Sequence, residues 1–220
     1  MKLRDLECEL QKIRGFEKPK LELEQYVTDA HQAARMLFTA SVTYDDIEQK
    51  RVLDLGCGCG ILSLASLLTG ASYVVGVDID PSALSIARDN INRINEELSS
   101  EIDLVQSDLS EWNDEGGKCG IFKAGQSFDT VVMNPPFGTK NKNVDMLFLS
   151  WACRLASSAV YSLHKTSTRE YISKKAKEFG FKGEVLAEMR YELPKTMKMH
   201  KQKSLDIHVD FWRFEKIEIK

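Results

Sequence analysis

Apolar residues near the start recur at helical spacing. Leu3, Leu6, Leu10 and Ile13 share one face of LRDLECELQKIR, which predicts a short amphipathic helix over 3–14. Gly15 and Pro19 end it, and the following PKLELEQYVT is predicted as extended. A second helix is predicted over 29–42, with Ala33, Ala34, Leu37 and Phe38 on its apolar side and Asp29 as its cap. From residue 51 the pattern changes to strands alternating with helices. Strands are predicted at 51–55, 73–77, 102–105, 128–133 and 159–163, and helices at 61–68, 82–95, 144–157 and 169–179. Short apolar strands separated by helices indicate a parallel sheet covered on both faces. Two longer strands close the chain, 184–193 and 205–214. The second alternates as Leu205, Ile207, Val209, Phe211, and the short connection allows an antiparallel pair. The predicted fold is α/β, a doubly wound, mostly parallel seven-stranded sheet with a C-terminal antiparallel hairpin. Residues 1–50 form a helical extension expected to pack on the ligand site, and 51–220 form a single globular unit. The Gly-rich NDEGGKCGIFKAGQ (113–126) has little periodicity and is predicted as an exposed loop.

Composition narrows the function classes. The chain has 220 residues, 43% hydrophobic and 29% charged, which suits one domain with a full core. Its formal net charge of -3 differs from the strongly basic balance of many free-standing RNA binders. Nucleic-acid contact must therefore come from a local patch or a partner. The five cysteines, Cys8, Cys57, Cys59, Cys119 and Cys153, include no C-x-x-C pair. That argues against a disulfide framework or a zinc site and for a reducing compartment, nucleus or cytoplasm. Met1 to Leu10 lacks the continuous apolar core of a secretory signal. No apolar run approaches the ~18 residues of a membrane span.

Candidate chemistry begins at Val52-Leu-Asp-Leu-Gly-Cys-Gly-Cys-Gly60, where a strand ends and a helix opens. Gly56, Gly58 and Gly60 permit a tight turn and close backbone approach to a ligand. In open α/β sheets ligands bind beyond the carboxyl ends of the strands, where the strand order reverses. Dinucleotide enzymes use similar loops, but Asp54 directly before this one would repel a pyrophosphate and suits the ammonium group of a methionine moiety. Asp78 ends the next strand about twenty residues on, placed to accept both hydroxyls of a ribose. The plain alternative makes it a helix-entry residue, with Asp80 capping the helix. The third strand ends at Asp108-Leu109, where a carboxylate can accept from an adenine amino group while the leucine packs on the ring. Alternatively, Asp108 is a turn residue. The pattern points to S-adenosylmethionine as cofactor.

Asn134-Pro135-Pro136-Phe137 follows the strand FDTVVM. Two prolines fix the backbone and remove two amide donors, leaving carbonyl oxygens to face a pocket. The Asn134 side-chain carbonyl adds an acceptor. Together the Asn134 oxygen and the Pro135 carbonyl can accept both protons of a planar amino group and stabilise the positive charge that develops on its nitrogen during methylation. Phe137 is expected to offer a stacking face for a planar base. Away from such a strand end, the tetrapeptide would be only a rigid turn. His164 and Lys165 end the next strand on the same rim and are candidates for RNA phosphate contact, with a solvated loop as the alternative. Lys195, Lys198, His200, Lys201 and Lys203 crowd the connection between the last two strands without an acidic residue. They are phosphate-contact candidates against the alternative of a solvated turn.

With D-L-G-C-G-C-G and N-P-P-F-G-T-K in place, the chain resembles the methyltransferase-like protein 5 family, adenine N6-methyltransferases of 18S ribosomal RNA. The resemblance runs almost end to end through GFEKPKLELEQY (15–26), TYDDIE (43–48), YSLHK (161–165) and KQKS (201–204). It implies a Rossmann-like class I methyltransferase fold. It implies cofactor contacts at Gln25, Thr28, Gly56, Cys59, Ile61, Asp78, Asp108 and Leu109, and catalysis by Asn134 to Phe137. It also implies an obligate partner, a small zinc-binding methyltransferase activator subunit that adds a strand to the exposed edge of the third strand. The compartments expected are nucleus, nucleolus and cytoplasm. The competing enzyme is a protein glutamine N5-methyltransferase, which uses the same Asn-Pro-Pro chemistry on a side-chain amide. From another class, the competitor is a catalytically silent RNA-binding subunit.

Overall fold

The computed structural model describes residues 1–94, 101–113, 118–119, 121–123, 126–193 and 205–217. Its strands are β1 (Arg51–Leu55), β2 (Tyr73–Asp78), β3 (Ile102–Gln106), β4 (Lys118–Cys119), β5 (Phe122–Lys123), β6 (Phe128–Met133), β7 (Ala156–Lys165), β8 (Phe181–Leu193) and β9 (Leu205–Lys216). Its helices are α1 (Leu3–Leu10), α2 (Ala30–Val42), α3 (Ile61–Leu68), α4 (Pro81–Ile94), α5 (Val144–Leu155) and α6 (Arg169–Glu178). Seven strands form one sheet in the order β3-β2-β1-β6-β7-β9-β8. The pairs among β1, β2, β3, β6 and β7 are parallel, whereas β9 runs antiparallel to both β7 and β8. The doubly wound sheet with its C-terminal hairpin is therefore as expected, and β3 is an edge.

Burial explains the strand composition. Val52, Leu53, Asp54 and Leu55 of β1 are all fully buried, because helices cover the sheet on both faces. One apolar cluster gathers residues of α1, α2, α3 and α4 against the sheet, including Leu6, Leu37, Leu64 and Ile91. The other gathers residues of α5 and α6, including Leu149, Trp151 and Ile172. The strand order reverses between β1 and β6, where Leu55 stands opposite Met133. The chain leaves both strands at the same end, opening a crevice there.

Three local expectations are corrected. The first helix stops at Leu10, because Asn90 accepts from the Arg14 amide (2.9 Å) and donates to the Arg14 carbonyl (2.9 Å), holding that backbone out of a helix. The segment predicted as extended contains a 3-10 turn over Leu21–Leu23. One of its acidic members, Glu24, is buried, because a hydrogen bond from the Lys140 amide rather than strand pairing holds it. The 113–126 loop contains the β4–β5 hairpin, and Phe122 is buried edge-on to Trp112 and Phe128, with centroids 5.8 and 5.2 Å away.

A buried ionic knot ties the N-terminal region to β6, β7 and β9. The Asp46 carboxylate accepts from Tyr161 Oη (2.6 Å) and Arg213 Nε (2.9 Å), while its main-chain carbonyl accepts from Thr130 Oγ1 (2.5 Å). The Arg213 guanidinium lies over the Tyr44 ring, 4.4 Å from its centroid. Removing one partner leaves a desolvated charge uncompensated, which costs about 3–5 kcal/mol. Asp46→Ala is therefore expected to destabilise the fold by that amount. Urea denaturation checks this through a lowered midpoint at constant m-value, and an unchanged midpoint would contradict it.

Candidate active site

The glycine loop between β1 and α3 is hooked onto the end of β2. The amides of Gly56 and Cys57 both donate to the Val77 carbonyl, at 2.8 and 3.0 Å, and the Gly58 amide donates to Asp78 Oδ2 at 2.8 Å. Gly56 (φ 71°) and Gly58 (φ 53°) adopt left-handed backbone that side chains disfavour. A Cβ at Gly56 would meet Phe148 Cε1 at 2.9 Å, and one at Gly58 would meet Phe16 Cζ at 3.0 Å. The two glycines thus leave a cradle between aromatic rings that any side chain would fill.

Four carboxylates surround this cradle in different states. Asp54 is fully buried; its Oδ2 accepts from Ser63 Oγ (2.6 Å), and its Oδ1 has no hydrogen-bond partner. Burial, outweighing the Ser63 hydrogen bonds and reinforced by the nearby Asp78 charge, pushes its pKa up to about 7. Asp78 is also raised, chiefly by burial, although its two oxygens accept from the Gly58 and Asp80 amides. Asp80 is the converse. Burial is its largest single effect and raises it, but hydrogen bonds from Lys20, Gln25 and the Ser82 amide together hold it below the usual carboxylate range. Asp80 therefore both caps α4 and anchors the 20–25 segment. Asp108 Oδ1 accepts from the Ser110 amide (2.8 Å) and hydroxyl (2.7 Å), so the turn-residue reading holds. Asp108 also lines the cavity.

That cavity encloses about 480 Å³, a size typical of small-molecule sites. It brings together Gln25, Gly56, Asp78, Asp108, Leu109, Asn134 and Pro136 from the predicted set. Thr28, Asp54, Cys59 and Ile61 line a small adjoining recess, which Gly56 and Asn134 share. Gln25 bridges the two ends of its segment: Oε1 accepts from the Lys20 amide (2.8 Å), and Nε2 donates to Asp80 Oδ2 (2.7 Å). Asn134 donates from Nδ2 to Thr28 Oγ1 (2.9 Å), which orients its amide. The residues fit S-adenosylmethionine on two counts. The cradle requires glycine, and the orphaned Asp54 oxygen sits where a cationic ammonium would satisfy it.

Some expectations about the site differ. Phe137 is only 5% exposed and belongs to the apolar cluster on the α1–α4 face. It does not line the cavity, and neither does buried Pro135. His164 is 1% exposed, with Nε2 paired to Ser162 Oγ (3.0 Å) and its ring edge-on to Phe214. Burial, against the opposing pull of Asp210, holds its pKa down to about 3. A buried neutral imidazole cannot meet a phosphate, so that expectation is withdrawn. Lys165 is half-buried at the end of β7. Lys195, Lys198, Lys201 and Lys203 lie outside the described residues. The strands flanking them pair out to Leu193 and Leu205, beyond the Lys165–Val209 level, at the same end of the sheet as Asn134. Phe16, Glu24, Lys142 and Phe148 also line the cavity, and sequence reasoning missed them. Phe16 and Glu24 sit inside the GFEKPKLELEQY stretch, which could have been taken as a block of ligand contacts. Among the described residues, no cluster of His, Cys, Asp and Glu could hold a metal ion.

Comparison with known proteins agrees with this geometry. A family model described as ribosomal protein L11 methyltransferase matches residues 26–134. The rRNA N(6)-adenosine-methyltransferase METTL5 of Danio rerio is 52% identical, covering 97% of this chain and 99% of its own length. The Drosophila melanogaster protein of the same description is also 52% identical, covering 98% and 97%. The crystal structure of a candidate RNA methyltransferase from Pyrococcus horikoshii superposes with a TM-score of 0.83 at 34% identity, covering 99% of both chains. Identity above one half, sustained over nearly the whole length of relatives from two animals, places this chain in the rRNA N6-adenosine-methyltransferase METTL5 family.

Proposed function

We propose that this protein transfers a methyl group to the N6 amino group of an adenosine in small-subunit ribosomal RNA. The cofactor is S-adenosylmethionine, which supplies the methyl group as an electrophile on a sulfonium. The carrying observation is the Asn134 amide, pinned by Thr28 at the wall of a cavity whose other walls are the glycine cradle and Asp78. An exocyclic amine is a poor nucleophile because its lone pair is delocalised into the ring. Asn134 Oδ1 accepts one of its protons and a carbonyl of the Asn-Pro-Pro turn the other, which favours a tetrahedral nitrogen. The same oxygens stabilise the positive charge that develops there. Pro136 contributes no N–H to compete for them. Within the cofactor pocket Asp54 takes the ammonium, Asp78 the ribose hydroxyls and Asp108 the adenine amine, with Leu109 against the ring. Buried Phe137 does not discriminate a nucleobase from a glutamine amide. The names of the full-length relatives favour the nucleobase.

We infer further that a small zinc-binding activator subunit completes the enzyme by adding a strand to β3. In support, β3 ends the sheet, and its apolar residues Leu104 and Val105 are only half covered.

Three outcomes follow. Asn134→Ala is expected to abolish transfer while leaving cofactor affinity nearly intact. The check is nucleoside mass spectrometry of small-subunit ribosomal RNA after incubation with labelled cofactor, with the modified adenosine mapped. A variant that keeps most of the turnover refutes the role. Asp78→Ala is expected to weaken cofactor binding at least tenfold, since hydrogen bonds to a charged acceptor contribute roughly 1.5–3 kcal/mol each. Calorimetry showing an unchanged Kd removes the ribose assignment. Co-expression with the activator subunit is expected to raise Tm by several degrees, because binding to the native state stabilises by mass action. A Tm indifferent to that subunit contradicts the heterodimer.

A further inference from the structure

Glu24 occupies a wall of the cavity that the chemistry above leaves without a task. It follows the 3-10 turn in left-handed backbone (φ 50°), uncommon for a residue with a side chain. Although charged, it is 6% exposed. Its Oε1 accepts from the Lys140 amide at 2.8 Å, in the loop that follows Asn-Pro-Pro-Phe. Asn141 Nδ2 donates to the Glu22 carbonyl across the same seam (3.4 Å). The second carboxylate oxygen, Oε2, is buried with no hydrogen-bond partner, and Glu24 lines the cavity together with Asn134. A buried unpaired acceptor costs free energy, and strained backbone persists where function over-determines it. Both features on one residue beside the transfer site call for a donor from the ligand.

The donors can be counted. An adenosine inside an RNA chain offers its N6 amino group and its 2′-hydroxyl. The amino protons go to the Asn-Pro-Pro turn, and the cofactor's ammonium, ribose hydroxyls and adenine amine face Asp54, Asp78 and Asp108. Of the nucleotide's own donors, the 2′-hydroxyl is left over. We propose that Glu24 Oε2 accepts from the 2′-hydroxyl of the target nucleotide, making Glu24 the residue that selects ribose over deoxyribose at the methylated position. This rests on the adenosine N6 reading above and names the feature of the substrate that the same site reads. The 2′-hydroxyl is the group by which a protein tells RNA from DNA at a given position.

The test uses the full chain with its activator subunit and synthetic oligonucleotides spanning the mapped adenosine. These are all-ribose, or carry a single 2′-deoxy or 2′-fluoro substitution at the target. Fluorine keeps the ribose-like pucker but cannot donate, so that arm separates hydrogen bonding from sugar shape. The wild type is expected to lose about tenfold or more in kcat/KM on both substituted targets, the effect of one hydrogen bond to a charged acceptor. Glu24→Gln retains an oxygen for the Lys140 amide and replaces the free acceptor with an amino group. It is expected to be slower on the ribose target and to discriminate among the three by less than about threefold. Cofactor affinity should be unchanged and Tm should not fall, which separates a lost contact from a disturbed fold. A wild type indifferent to the 2′-position overturns the proposal. So does a Glu24→Gln variant that discriminates as sharply as the wild type. Absence of N6-methyladenosine from the all-ribose oligonucleotide overturns the underlying substrate reading, and the Glu24 role with it.

Discussion

Leu55 and Met133 face each other in the parallel ladder, and one residue further on the chain becomes Gly56 on one strand and Asn134 on the other. The site depends on that adjacency. Because β2 extends the sheet to one side of β1 and β6 to the other, the helices that follow diverge, and nothing fills the space beyond the strand ends. The glycine loop lies against one side of this gap and the Asn-Pro-Pro turn against the other. The glycine cradle and the Asn134 amide are thereby brought to one cavity by the register of the strand ladder.

The electrostatics of the cavity match a cationic ligand. A raised carboxyl pKa means that the folded chain holds the proton more tightly than the unfolded chain does. Ionising Asp54 therefore costs folding free energy as pH climbs from the ordinary carboxylate range towards about 7. Asp78 adds to that cost, since burial raises it in the same direction. A cationic ligand brought into the cavity would relieve it. Asp80 is exempt, because Lys20 and Gln25 already neutralise and hold it. The same two residues tie the N-terminal segment to the cavity mouth. The segment is thus an integral wall of the site, and Glu24 and Thr28 reach the two ends of the Asn-Pro-Pro region from it.

The β7–β9 half of the sheet carries a different kind of constraint. Asp46, Tyr161 and Arg213 are far apart in the chain and meet in a desolvated cluster. Arg169 similarly holds Asp210 through Nε at 2.7 Å and a second nitrogen at 2.6 Å, bracing α6 against β9. Each of these clusters holds a buried carboxylate, with Arg169 itself partly exposed, and removing its partner leaves that carboxylate unpaired at a cost, so they define where the hairpin sits relative to the crevice.

Period and punctuation alone determined the parallel sheet, the glycine turn and the acid at each strand end, because these depend on residues close together in the chain. The positions of Asp54, Asp78, Asp108 and Asn134 were legible for that reason: each lies within two residues of a strand's end. Tertiary structure decided what distant segments do to one another. Phe137 looked like a stacking face and His164 like a rim cation, yet both are buried, since local spacing does not tell which side of a strand end the core will claim. Glu24 lay without an assigned role in a stretch predicted as extended. Its burial arises from the Lys140 amide, over a hundred positions away, and no pattern within its own segment could have revealed that bond.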